Sequence, residues 1–113
     1  MTINTAPLVK ALLWAGLEDY CALWQAVWEI GALVPDLSEE ARRDQTRLLV
    51  QTLVDQGAIE LVSVQWSAIE PADPALAHQL LAQPDVWVPK GEHDRELCFM
   101  TTEAGEQRYA ALG

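Results

Sequence analysis

His78 and His93 are the only two histidines of the chain. His93 lies in Glu92-His93-Asp94, three side chains that together could hold a metal ion or relay a proton. No further donors stand at ligand spacing, so the triplet reads as a solvated charged turn and no metal is expected. His78 sits in a short helical stretch and reads as a surface residue. Cys21 and Cys98 have no metal-knuckle spacing and no neighbouring histidine or cationic setting to favour a thiolate. They read as small buried apolar residues rather than as a disulfide or a nucleophile. The acid pairs Glu18-Asp19 and Glu39-Glu40 are adjacent in sequence and need not share a cleft; the second suits the positive end of a helix. The six glycines are scattered as turns and helix stops, with no phosphate-cradling loop. These residue types imply no catalytic centre and no cofactor, and the chain reads as a non-enzymatic protein.

Binding chemistry is more visible. Seventeen acids stand against seven lysines and arginines, a formal net charge of −10. Such a surface repels phosphate backbones and attracts basic partners. The bases that could read DNA are concentrated in one stretch, Arg42, Arg43 and Arg47, with Gln45 and Thr46 available for base edges. The five tryptophans are Trp14, Trp24, Trp28, Trp66 and Trp87. Several are expected in the core, with one or two at a binding surface, where tryptophan is enriched.

The elements that position these residues follow from period and caps. Thr5 and Pro7 open a first helix that Gly16 is expected to stop. Glu18-Asp19-Tyr20 could form a very short strand. Ala22 to Leu33 reads as a second helix, with Leu23, Val27 and Ile30 on one face. Ser38 caps a third helix that runs to about Gln56, with Leu48, Leu49, Thr52 and Leu53 as its inner stripe and Gly57 beyond its end. Ala58 to Trp66 changes to β-branched and aromatic residues and reads as a strand. Prolines then break the chain, and Asp73 to Gln83 reads as a short capped helix before an extended Val86-Trp87-Val88. Leu97 to Thr101 is a last strand, and Glu103 opens a closing helix. No apolar run approaches the eighteen or so residues of a membrane span, and the N-terminus lacks a signal-peptide pattern. The expectation is a single α+β domain of a cytoplasmic, bacterial-type protein.

Two segments resemble the winged helix-turn-helix superfamily. Leu53-Val54-Asp55-Gln56-Gly57-Ala58-Ile59-Glu60 is similar to the helix end, glycine and strand start that follow recognition helices in MarR-like and PadR-like regulators. Met100-Thr101-Thr102-Glu103-Ala104-Gly105 is similar to the Leu-Thr-x-x-Gly at the end of their wing. The resemblance implies a three-helix core, a small antiparallel sheet, a C-terminal helix, and a wing enlarged by an inserted helix over about 67–96. It also implies DNA binding through the third helix by Arg42, Arg43, Gln45, Thr46 and Arg47, with a homodimer placing them at two half-sites. The enlarged wing, however, carries six acids and two bases between Trp66 and Glu96. The charge therefore favours a protein-binding module for a basic partner, such as an immunity or antitoxin-like neutraliser. Its candidate contacts are Glu70, Trp87, Glu92, Asp94 and Glu96.

Overall fold

The computed structural model describes residues 5–65, 68–88 and 96–112. Helix α1 (Ala6–Glu18) buries Leu8, Val9, Leu12 and Leu13. It runs through Gly16, the expected stop. A Cβ there would lie 2.9 Å from the Thr101 backbone nitrogen, so glycine lets α1 lie directly on the last strand. The first strand, β1 (Cys21–Ala22), falls just after the expected Glu18–Tyr20. The chain turns at once into α2 (Leu23–Leu33), where the Ala22 amide donates to Gln25 Oε1 at 3.0 Å. Leu23, Ala26 and Ile30 are its buried apolar face, and Val27 packs against the core from its edge.

Helix α3 (Glu39–Asp55) starts as its sequence predicts, with Ser38 Oγ accepting from the Ala41 amide at 3.1 Å. Its buried stripe is Thr46, Leu49, Val50, Leu53 and Val54. This corrects the expected stripe, because Leu48 is 55% exposed and Thr52 faces solvent. The helix packs on α2, on the second strand and on a later helix, and that broad contact turns its inner face toward Val50 and Val54. Gly57, at φ +72°, closes α3 in the left-handed conformation that glycine adopts without strain.

Strands β2 (Ile59–Gln65), β3 (Ala68–Ala72) and β4 (Glu96–Thr101) complete an antiparallel sheet in the order β1-β4-β2-β3. Strand β3 was not expected, because Pro71 reads as a breaker. It lies at the end of the strand order, bonded only to β2, and a missing N–H is tolerated on such an edge strand. Helix α4 (Pro74–Leu81) starts as expected, with Asp73 Oδ1 accepting from the Leu76 amide at 2.8 Å, and ends two residues before the expected Gln83. The expected extended piece around Trp87 is instead a 3-10 turn, Pro84–Trp87. That turn directs the Trp87 ring inward, where its Nε1 donates to the Leu81 carbonyl at 3.0 Å.

Helix α5 (Glu103–Leu112) closes the chain against α1, with the Trp14 and Tyr109 rings stacked 5.7 Å apart. The two segments quoted above, remote in sequence, meet at its start. The Thr102 amide donates to the Ala58 carbonyl at 3.0 Å, and the Thr102 hydroxyl donates to the Gly57 carbonyl. The same hydroxyl accepts from the Gly105 amide at 3.1 Å. Gly105 presses so closely on the Ala58 carbonyl that no side chain fits, and a Cβ would also lie 2.7 Å from Thr101 Cγ2. Among the described residues, the architecture is five α-helices with one small four-stranded antiparallel sheet, and no helix is long and apolar enough to cross a membrane.

Candidate interaction surfaces

The arginines of α3 do not form an open stripe. At about 100° per residue, Glu40, Asp44, Leu48, Gln51 and Asp55 share the solvent side of the helix. Three of those five are acids and none is a base. Arg42 lies on one flank, folded over Gly31, where a Cβ would meet its Cδ at 3.0 Å. Its Nη2 donates to the Pro35 carbonyl at 3.3 Å, so the guanidinium braces the turn between α2 and α3. Arg43 and Arg47 lie on the other flank, in a groove of about 210 Å³ walled by Leu81, Pro84 and Trp87 of the insertion. Arg47 approaches Asp44 at 4.0 Å, a loose exposed pair of little energetic weight. Thr46 is fully buried, and its hydroxyl donates to the Arg42 carbonyl at 2.7 Å. It is therefore corrected from a base-reading candidate to a core residue; Gln45 is half-buried.

The insertion folds back onto α3. Helix α4 packs along it, and the 3-10 turn packs on α2. His78 Nε2 meets Asp55 Oδ1 at 2.7 Å and pins α4 to the end of α3. Trp87 is only 5% exposed and belongs to the main core, so it is corrected from exposed anchor to the hydrophobic plug of the insertion. Glu70 is exposed on β3. Glu96 is half-buried on β4 and accepts a hydrogen bond from Trp24 Nε1. Glu92, Asp94, His93 and Trp66 lie outside the described residues.

The tryptophans divide differently from expectation. Helix α2 packs inward through small and branched aliphatic residues. Trp24 instead wraps round the short β1 edge to cover Ala22, Val62 and Cys98 on the other face of the sheet. Trp28, one turn on, is 71% exposed.

The strand register defines that outer face. Ala22, Cys98, Val62 and Pro71 form one row across all four strands. Met100 and Glu60 form the row on one side, and Glu96, Val64 and Ile69 the row on the other. Val62 and Cys98 are buried, whereas Ile69 and Met100 are 42% and 36% exposed. The sequence carried a signal for this face. Consecutive apolar residues, Leu61-Val62 and Leu97-Cys98-Phe99-Met100, give a strand two apolar faces, where a one-sided sheet would alternate.

The same register separates the cysteines. Cys21 pairs with Phe99 and packs in the main core, while Cys98 pairs with Ala22 and faces outward. Both are free. Burial pushes each thiol from 9.0 up to about 12; for Cys98 the nearby Glu96 carboxylate adds to the effect. Such thiols are poor nucleophiles at neutral pH. Among the described residues no group of three or more His, Cys, Asp or Glu side chains is placed to hold a metal ion. No family model, curated protein or solved structure matches the chain.

Proposed function

We propose that the chain is a winged-helix protein that works by binding a basic protein partner and catalyses no reaction. The sheet order supports the winged-helix reading, since β1, β4 and β2 lie side by side and β2 follows α3 directly through Gly57. The observation that carries the functional reading is the insertion seated along α3. It occupies the flank on which Arg43 and Arg47 stand, and the side of α3 left to solvent presents Glu40, Asp44 and Asp55. A helix entering the major groove needs an open face that gains phosphate contacts, and this one would bring carboxylates to phosphates. A net charge of −10 suits fast, salt-sensitive capture of a positively charged protein, as in an antitoxin-like neutraliser of a basic toxin.

Affinity purification from the native host, followed by reconstitution with the recovered protein, tests this. Recovery of a basic protein whose binding weakens between 50 mM and 500 mM salt is the expected result. Sequence-specific retention of DNA that is lost in Arg43→Ala would overturn it.

A further inference from the structure

Resting on that protein-binding reading, we propose that the partner docks on the outer face of the sheet, presenting a segment with apolar residues flanked by lysine or arginine. The two faces of the sheet are unequally covered. Helices α1, α2 and α3 pack on the inner face with Leu61 and Phe99. On the outer face the described cover is Trp24, which with Val64 packs against Ala22, Cys98 and Val62 and leaves Pro71 as the exposed end of the central row. Beyond it Val64, Ile69, Pro71 and Met100 remain partly or largely open. Val64, Ile69 and Pro71 adjoin one another across β2 and β3, whose axes lie about 5 Å apart, and form an open apolar strip beside the covered row along which an extended segment can lie.

The charge chooses the occupant. Glu60 and Glu96 stand at opposite corners of the patch, one on β2 and one on β4, four register positions apart. Strand geometry puts them about 14 Å from each other, on either side of the apolar row. Among the described residues, none of the outer-face positions is Lys or Arg. A second copy of the chain docked here would set Glu60 and Glu96 against their own kind, so the face suits a basic partner and disfavours self-association. Trp24 makes the corner rigid, because its indole N–H is fixed on Glu96 and its ring covers Cys98 and Val62.

The test uses the full chain, labelled with ¹⁵N, and three synthetic peptides: one alternating Lys and Leu, one alternating Glu and Leu, and one alternating Lys and Ser. The Lys/Leu peptide is expected to shift the amides of Val62, Val64, Ile69 and Met100 and the Trp24 indole N–H. The Glu/Leu peptide should leave them unmoved, and the Lys/Ser peptide should bind about ten-fold more weakly. Glu60→Gln with Glu96→Gln keeps the hydrogen-bonding shape and should weaken the Lys/Leu peptide about five- to ten-fold at low salt, with the difference shrinking as salt rises. Ile69→Ser, at an exposed site, should weaken it without unfolding the domain. Shifts confined to α3, α4 or the α1–α5 face would overturn this surface while leaving the protein-binding reading intact. Equal binding of the Glu/Leu peptide, or a dimer abolished by Ile69→Ser, would also overturn it. Failure of every basic peptide together with specific DNA retention would remove both readings.

Discussion

The inner and outer faces of the sheet are built from the same strands and differ in what covers them. On the inner face Leu61 and Phe99 are fully buried beneath three helices. On the outer face their neighbours Val62 and Cys98 lie under one tryptophan, with Ile69 and Met100 exposed beside them. Alternation along β4 therefore separates two kinds of apolar residue. Phe99 is fully buried and holds the fold together, whereas Met100 keeps 36% of its surface open to solvent. Hydrophobicity in a strand is thus two signals, and only the helices decide which residues serve stability.

The largest test of that division is a pair of truncations on adjacent β4 positions. Phe99→Ala removes a fully buried ring and should cost about 3–5 kcal/mol, measured by urea unfolding. Met100→Ala should cost under about 0.5 kcal/mol. Equal losses would mean that the outer face is as tightly packed as the inner.

Gly105→Ala probes the corner that hands β4 to α5. The new methyl would drive into the Ala58 carbonyl, which is backbone and cannot swing aside. The expected cost is about 3 kcal/mol, with α5 lifted from the sheet and the Trp14–Tyr109 stack loosened. Tryptophan fluorescence and urea melts check it.

This corner was legible in the sequence, and most of the outer face was not. Gly57 and Thr102 act through local backbone geometry, which residue type announces, as Ser38 does at the start of α3; Gly105 was visible through the resemblance alone, since its close contact is with the Ala58 carbonyl, remote in sequence. The start of α4 was visible for the same reason, through Asp73. The placement of α4 was not, because its packing on α3 depends on residues some thirty positions away. Strand β3 was hidden by Pro71, which is acceptable only where no further strand pairs, a fact of topology. Thr46 and Trp87 were misread because polarity and size suggested surfaces. One hydrogen bond each, to the Arg42 carbonyl and the Leu81 carbonyl, makes their burial possible. Of the proposed acidic contacts, Glu96 gained a specific role only when the register put it beside Trp24.

The cysteines compare the faces chemically. Each thiol is held neutral to about 12 in the folded protein, against 9.0 when free. Well below pH 9 both states keep the proton and stability is unaffected. Above pH 9 the unfolded chain binds fewer protons than the folded one, so stability falls as pH rises. At pH 10 the loss is on the order of 1 kcal/mol for each thiol, seen as the difference between the parent and Cys21→Ala or Cys98→Ala. Alkylation separates them further. Cys98, under a single side chain, should react through local opening of Trp24, whereas Cys21 should wait for global unfolding. Equal rates at low denaturant would argue against the thin outer cover.

A modest effect is expected at Trp24 itself. Trp24→Phe keeps an aromatic lid over Val62 and Cys98 and removes the N–H that Glu96 accepts. Glu96 is half-exposed, so water replaces the lost donor and the cost should be about 1 kcal/mol, less than for a fully buried charged bond. The informative readout is Cys98 alkylation in this variant. If the ring alone makes the lid, the rate should change little. If the hydrogen bond holds the ring in place, Cys98 should react severalfold faster while Cys21 is unaffected. A loss above about 3 kcal/mol would instead show Trp24 to be part of the fold's main support. The outer face would then be a second core, with much less surface left to offer a partner.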